Sequence, residues 1–255
     1  MRILVTNDDG VDSPGIHALA AALVDDGHDV LVVAPIDDRS GAGASIGRLH
    51  GGGPPPVERR VWDELPDLPV HAIDAPPATA VFAACLGAFG DLPDLVASGI
   101  NPGANTGHLV LHSGTVGATL TAAGYGVPGL AVSIDWSQTQ EYEWTTAARF
   151  AAAAVEWVAK PDGDPRILNI NVPNRPFDEV LGIREAELAP SGEVWVASAD
   201  VTSGDLKIEI TGRGDPAPGT DVALVQEGYV SVTPLMSIVR SRATGAAASI
   251  ADTLD

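Results

Sequence analysis

The sequence predicts an α/β fold, a mostly parallel sheet with helices on both faces, followed by a β-rich C-terminal extension. Three observations predict it. Through the first two thirds of the chain, short apolar runs alternate with longer helical patterns, as βαβ units require. Three of the apolar runs open directly into polar, glycine-containing loops. After Pro173 the texture changes to β-rich segments with turn residues between them and little helical period. With 255 residues, 45% of them hydrophobic, the chain can bury one sizeable core carrying an appendage.

Residues 2 to 6 (RILVT) form a buried strand, and the loop NDDGVDS leads to a helix from Pro14 to Asp25, with Ser13 as its cap and Pro14 at its first position. The turn DDGHD precedes a second strand, DVLVVAP, which ends on the loop IDDRSGAGAS. GGGPPP at 51 to 56 is a loop or hairpin tip, too short for a linker. A strand follows at VHAID, a helix at ATAVFAACLGAF, and a strand at DLVASG that runs into GINPGANTG. Next come a helix over 114 to 125, strand GLAVSI, helix TTAARFAAAAVEWVA and strand RILNINVP. Residues 1 to 173 thus form the core and 174 to 235 an antiparallel extension built on EVWVASAD, DLKIEI and GYVSVTPL; 236 to 255 are a weakly specified tail.

The formal net charge of −20, with no basic run to offset it, argues against binding to nucleic acid polymers or anionic membranes. The start MRILVTNDDG is not a signal peptide, and no apolar run approaches the roughly 18 residues of a membrane span, so a cytoplasmic protein is expected. The single cysteine, Cys85, lies in an apolar run and packs as a small hydrophobe. Twelve arginines against two lysines, with aspartate exceeding glutamate, fit a salt-rich cytoplasm or a GC-rich genome equally well.

Ligands of open parallel sheets gather at the carboxyl ends of strands, where TNDDG, DDRSG and SGINPGANTG all emerge. Two adjacent carboxylates directly after a buried strand are costly without a cation, so Asp8 and Asp9 call for a metal. The loops offer oxygen donors and no Cys or His cluster, which selects a hard ion, Mg²⁺ or Mn²⁺. Ser40 is a candidate ligand by its place after the second strand, and Asn101 can supply a neutral amide oxygen. Asn105 offers a further amide. Ser113, Gly114 and Thr115 precede a small-residue helix, whose free N–H groups and dipole suit a phosphate. Each residue alone also has an ordinary explanation as turn, cap or packing residue; the three loops together do not. His108 and His112 flank this segment as candidate general acids or rim residues, Arg39 is a phosphate contact or a solvated charge, and Tyr229 is a sheet residue or a base-stacking platform.

MRILVTNDDGVDSPGI, VVAPIDDRSG, SGINPGANTG, HSGTVGAT, GVPGLAVS, LNINVP and TDVALVQEGYVSVTPL, in this order and spread from residue 1 to about 236, resemble the SurE family of survival-protein nucleotidases. The resemblance implies a Rossmann-like core, one divalent cation per subunit held by Asp8, Asp9, Ser40 and Asn101, and hydrolysis of nucleoside 5′- or 3′-monophosphates, with polyphosphate as a substrate of some members. It also implies a homodimer or homotetramer in which C-terminal β-rich segments exchange between subunits. On the residues' own chemistry, Asp8 and Asp9 are the catalytic candidates, one of them to orient or deprotonate the attacking water or, less favoured, to attack phosphorus itself, and Asn105, Ser113, Gly114 and Thr115 are the substrate-binding candidates.

Two departures stand out. The family's Gly-Thr-Pro block with its following Asp is replaced by DAPPAT, placing Pro76 for threonine and Thr79 for aspartate, and SIGRLH replaces Ser-Ile-Thr. Both leave the metal loops intact but bear on substrate preference or subunit contacts. A dehalogenase-type phosphatase needs Asp-x-Asp, which adjacent Asp8 and Asp9 do not provide, and a phosphate-accepting receiver domain would be about half this length. A non-catalytic metal and nucleotide binding or signalling module is the alternative to an enzyme.

Overall fold

The computed structural model describes residues 1–47, 53–160, 166–190, 195–202, 205–211 and 215–238. The SIGRLH substitution falls partly, and the end of the expected tail wholly, outside them.

Strand β1 (Arg2–Thr6) is an apolar run whose alternate side chains go to opposite faces. Ile3 and Val5 join the core under α1 (Pro14–Asp25) and α4 (Trp144–Val158), whereas Leu4 joins the core under α2 (Pro77–Cys85) and α3 (Gly114–Ala123). Helices therefore cover both faces at the centre of the sheet, and strands such as β1 read as continuous apolar runs because neither of their faces meets water.

The central strands β4 (Leu65–Ile73), β2 (Asp29–Pro35), β1, β5 (Leu95–Pro102), β6 (Gly129–Ile134) and β7 (Ile167–Val172) lie side by side and parallel, in that order. This is a doubly wound order that grows from β1 in both directions, and it places a topological switch point between β1 and β5. Carboxyl-end loops on either side of such a point diverge and leave a crevice. Here they are TNDDG and SGINPGANTG.

The edges differ from the sequence expectation. Strand β3 (Val57–Trp62) is absent from that expectation, because VERRVW is polar and mostly exposed; it pairs antiparallel with β4 at one edge. Of the stretch expected as an antiparallel extension, β9 (Trp195–Thr202) and β10 (Asp205–Thr211) form a separate antiparallel pair. Strand β11 (Val230–Leu235), however, pairs antiparallel with β7, and β8 (Ile183–Glu185) pairs with β11, so both extend the main sheet to nine strands. A further helix, α5 (Asp221–Glu227), precedes β11; the Thr220 hydroxyl caps it by accepting from the Ala223 N–H, and Gly228 ends it at φ 98°. Short 3₁₀ turns span Gly107–Leu111 and Phe177–Glu179. Among the described residues, no helix is long and apolar enough to cross a membrane.

Ser13 and Pro14 stand where expected at the start of α1, but the Ser13 hydroxyl does not cap the helix. It accepts instead from Asn7 Nδ2 at 2.8 Å, and the same amide donates to the Gly10 carbonyl at 2.9 Å. The loop that presents Asp8 and Asp9 is thereby closed on itself.

Candidate active site

Asp8 and Asp9 follow β1 at the switch point, with the loop after β2 alongside: the Arg39 N–H donates to the Asp8 carbonyl at 2.7 Å. The two neighbouring carboxylates are held differently. Asp8 is 3% exposed, and its Oδ2 accepts from the Gly114 N–H at 3.0 Å and its Oδ1 from the Thr115 hydroxyl at 2.5 Å. Asp9 has a buried Oδ2 with no hydrogen-bond partner among the described residues. Burial pushes the Asp8 carboxyl above the ordinary carboxylate range, against the hydrogen bonds that pull it down. Asp9 is pushed up to about 7, first by burial and then by the charges of Asp8 and Asp38. An ionised Asp9 is thus unfavourable in the chain alone, which is what a site built around a positive charge should look like.

The contact between Asp8 and the start of α3 is close enough to dictate composition. A Cβ on Gly114 would lie 2.7 Å from both the Asp8 Cβ and Oδ2, so only glycine lets the helix start approach the carboxylate. One turn on, a Cβ on Gly117 would lie 2.3 Å from the Gly43 carbonyl oxygen, so the loop after β2 is laid directly on α3. Ser113 caps α3, its hydroxyl accepting from the Val116 N–H at 3.1 Å.

The groups expected to cradle phosphate therefore already serve an anion of the protein. The Gly114 amide and the Thr115 hydroxyl both donate to Asp8, and a substrate phosphate reaching this turn would share them with that carboxylate. From sequence, a helix start that meets a ligand cannot be told from one that meets a side chain.

Ser40 is exposed and follows the Arg39 that touches Asp8; its hydroxyl and N–H both donate to Asp38 Oδ1, at 2.6 and 2.7 Å. Asn101 is half-buried near the end of β5, and its Nδ2 donates to the Gly103 carbonyl at 2.6 Å, leaving the amide oxygen as the end to offer a cation. Among the described residues no group of three or more His, Cys, Asp or Glu side chains is placed to hold an ion. The candidate donors are two carboxylates, a hydroxyl and an amide, all oxygen. With the unpartnered, buried Asp9 Oδ2, this set fits a hard divalent cation that keeps part of its water shell.

Asn105 is gripped from several sides. Its N–H donates to Asn171 Oδ1 at 2.7 Å, its carbonyl accepts from Asn169 Nδ2 at 2.8 Å and Asn171 Nδ2 at 3.1 Å, and its own Nδ2 donates to the Ser133 hydroxyl at 2.9 Å. Sequence reasoning does not single out Asn169 and Asn171. Their spacing in LNINVP is the available signal, since it puts two amides on one face of a fully buried strand, where each must find a partner.

Other candidates are resolved by their neighbours. Arg39 forms ion pairs with Asp37 at 2.8 Å and Asp74 at 2.5 Å, so its charge is already matched. Asp74 opens the DAPPAT segment, which therefore touches the DDRSG loop through Arg39 and not through the candidate ligands. Pro76 and Pro77 start α2 and Thr79 is buried in its first turn, and Pro76 and Thr79 line a cleft with Ile46 and Gly47, so the substitutions alter a helix start beside the segment that follows the β2 loop. His108 and His112 are exposed. Tyr229 is stacked under the Arg184 guanidinium, 3.6 Å from the ring centre. Burial pushes the Cys85 thiol up to about 11, so it is not a nucleophile at neutral pH.

Comparison with known proteins points to one family over most of the chain. The sequence profile of the family described as Survival protein SurE matches residues 3–193. The chain is 39% identical over 244 residues to a 5′-nucleotidase SurE of Xanthomonas axonopodis pv. citri (strain 306), covering 92% of this chain and 89% of that one. A 5′-nucleotidase SurE of Stenotrophomonas maltophilia (strain K279a) is 39% identical over 243 residues, with the same coverage. The crystal structure of the SurE protein from Aquifex aeolicus superposes with a TM-score of 0.79 at 29% identity, over 100% of both chains.

Proposed function

The chain belongs to the Survival protein SurE family, and from that premise we propose that it is a phosphoric monoester hydrolase, a 5′-nucleotidase, that releases phosphate from nucleoside monophosphates with the help of one divalent cation, Mg²⁺ or Mn²⁺. The observation that carries the proposal is the asymmetric carboxylate pair at the carboxyl end of β1: Asp8 anchored by α3, and Asp9 with a buried oxygen that no group among the described residues satisfies.

In this reading Asp8, Asp9, Ser40 and Asn101 hold the cation. Bound there, it would polarise a phosphate oxygen and lower the pKa of a bound water. The residues of the chain do the rest. Asp8, locked by Gly114 and Thr115, fixes the register between the β1 loop and α3. Asp9, facing the cation with one oxygen, would orient the attacking water with the other and accept its proton as the water oxygen adds to phosphorus; as the ester P–O bond breaks, that proton passes on through solvent and the nucleoside oxygen leaves as a hydroxyl. Asn105 and the turn Ser113, Gly114 and Thr115 flank the phosphoryl group; the Ser113 hydroxyl and the second Asn105 amide hydrogen are the donors it can take, and the Gly114 amide and Thr115 hydroxyl reach it only by being shared with Asp8.

Cleavage of 3′-monophosphates, a cytoplasmic location and assembly into a dimer or tetramer through the segment after residue 173 belong to the same proposal. The β9–β10 pair, which stands apart from the main sheet, supports the last of these. The test is phosphate release from 5′- and 3′-nucleoside monophosphates and an aryl phosphate, with Mn²⁺, Mg²⁺ or chelator, for wild type and Asp8→Asn. Metal-dependent release that collapses in the variant is expected. A folded, metal-binding wild type that releases no phosphate from any substrate would leave a binding module in its place.

A further inference from the structure

Four polar side chains outside the metal loops are fully buried and converge on one short stretch of backbone. Asn169 and Asn171 of β7, Ser133 of β6 and Asp221 of α5 are all 0% exposed. The first three hold Asn105 by its N–H, its carbonyl and its side-chain amide. Two residues further on, the Gly107 N–H donates to Asp221 Oδ2 at 2.7 Å. The other oxygen of Asp221 accepts from the Ala189 and Val222 N–H groups at 3.0 and 2.9 Å.

The strand register makes these contacts one device. Asn101 on β5, Ser133 on β6, Asn171 on β7 and Ser231 on β11 stand directly opposite one another across the sheet. The loop leaving Asn101 turns back over this row and is tied to its second and third members through Asn105. Four buried polar groups are not needed for a core, since apolar residues of the same shape would serve it as well or better. Their common target is the loop that carries one candidate metal ligand and one candidate substrate contact.

We infer that Asn169, Asn171 and Asp221 are positioning residues for the phosphatase reaction, acting through the backbone of residues 105–107 to hold Asn105 and Asn101 in register with Asp8 and Asp9. This rests on the phosphatase reading and extends it to residues far from the metal loops in sequence. It gives the C-terminal segment TDVALVQEGYVSVTPL a part in the site: its Asp221 fastens the far end of the Asn loop.

The experiment compares Asp221→Asn and Asn171→Asp with wild type at saturating Mn²⁺, well below the melting temperature. Asp221→Asn keeps the shape but turns the acceptor for Gly107 into a donor or costs the other two bonds. Asn171→Asp keeps the acceptor for the Asn105 N–H and loses the donor to its carbonyl. Both should lower kcat at saturating Mn²⁺ by about 10- to 100-fold, and Mn²⁺ affinity, read by calorimetry, should fall as well, since Asn101 leaves register with the loop. Hydrogen exchange of peptides spanning 103–109 should quicken in both. Ile170→Ala is the control: Ile170 lies between the two asparagines on β7 but packs into the core under α1 and α4, so it lowers stability and leaves the loop tied. Its kcat should stay near wild type. Positioning variants with unchanged kcat and exchange, or an Ile170→Ala loss as large as theirs, would overturn the inference. A wild type that releases no phosphate would instead sink the phosphatase reading, on which the inference depends.

Discussion

Replacing Asp9 with asparagine should make the metal-free protein more stable at neutral and alkaline pH while removing its activity. In the folded chain the Asp9 carboxyl is held up to about 7 by burial and by the charges of Asp8 and Asp38, against an ordinary value of 3.8. Between those two values the folded state keeps a proton that the unfolded state has released. Stability therefore falls as pH rises through the window from about 4 to 7, and the loss is complete above it. At about 1.36 kcal/mol for each tenfold change in proton affinity, the rise from 3.8 to about 7 sets a ceiling of ~4 kcal/mol, and relaxation around the charge should bring the realised effect to about 1–3 kcal/mol. The asparagine side chain has the same shape and nothing to ionise. The assay is urea unfolding of wild type and Asp9→Asn at fixed protein concentration in chelator, from pH 4.5 to 8.5. The gain should be near zero at the acid end, grow through pH 6 and level off above pH 8. Adding Mn²⁺ to a hundred times its Kd should return about 2.7 kcal/mol to the wild type and little to the variant. A stability difference that is flat with pH, or an Asp9→Asn protein less stable than wild type at pH 8, would refute the argument that Asp9 is held in an environment made for a cation.

Three further outcomes follow from contacts around the site. Gly117→Ala drives a methyl against the Gly43 carbonyl and should cost about 1–3 kcal/mol, seen as a lower melting temperature, with activity falling as the β2 loop is pushed off α3. Arg39→Ala breaks two ion pairs whose groups are part-exposed, so the stability change should be below about 1 kcal/mol, while kcat/KM drops several-fold because the loop loses its tie to Asp74. With its thiol pushed up to about 11, Cys85 should react slowly with iodoacetamide at pH 8 in the native protein, and Cys85→Ser should turn over like wild type in the phosphate-release assay.

The parts of the fold that are legible in the sequence are those whose burial is uniform. Strands such as Arg2–Thr6 and Gly129–Ile134 are nearly unbroken apolar runs, and the Ser13–Pro14 pair marks the start of α1. Strand β3 is not legible because an edge strand needs no apolar face: VERRVW buries fully only Trp62. The seven-residue helix α5 is hidden by the β-branched GYVSVTPL that follows, although Thr220 and Gly228 are an ordinary cap and stop. Assigning 174–235 to one extension misses that β11 and β8 find their partners on the β7 side of the main sheet, a long-range pairing that local pattern cannot carry.

At the site, sequence points to the loops but not to the partner each group takes, because a donor at a helix start has the same signature whatever it meets. That distinction gives the carboxylate pair its chemistry. Consecutive side chains leave the backbone in different directions, so two adjacent aspartates after one strand cannot both reach the start of α3. Asp8 takes the Gly114 amide and the Thr115 hydroxyl and becomes a fixed strut between β1 and α3. Asp9, denied those donors and held near the charges of Asp8 and Asp38, keeps an oxygen unsatisfied and a proton near neutrality. An Asp-x-Asp arrangement separates its carboxylates along the chain; adjacency here yields one carboxylate fixed by hydrogen bonds and one whose buried oxygen has no partner among the described residues, the pair on which the proposed cation site rests. The division of labour follows from the position of Gly114, whose missing side chain lets α3 come close enough to choose Asp8.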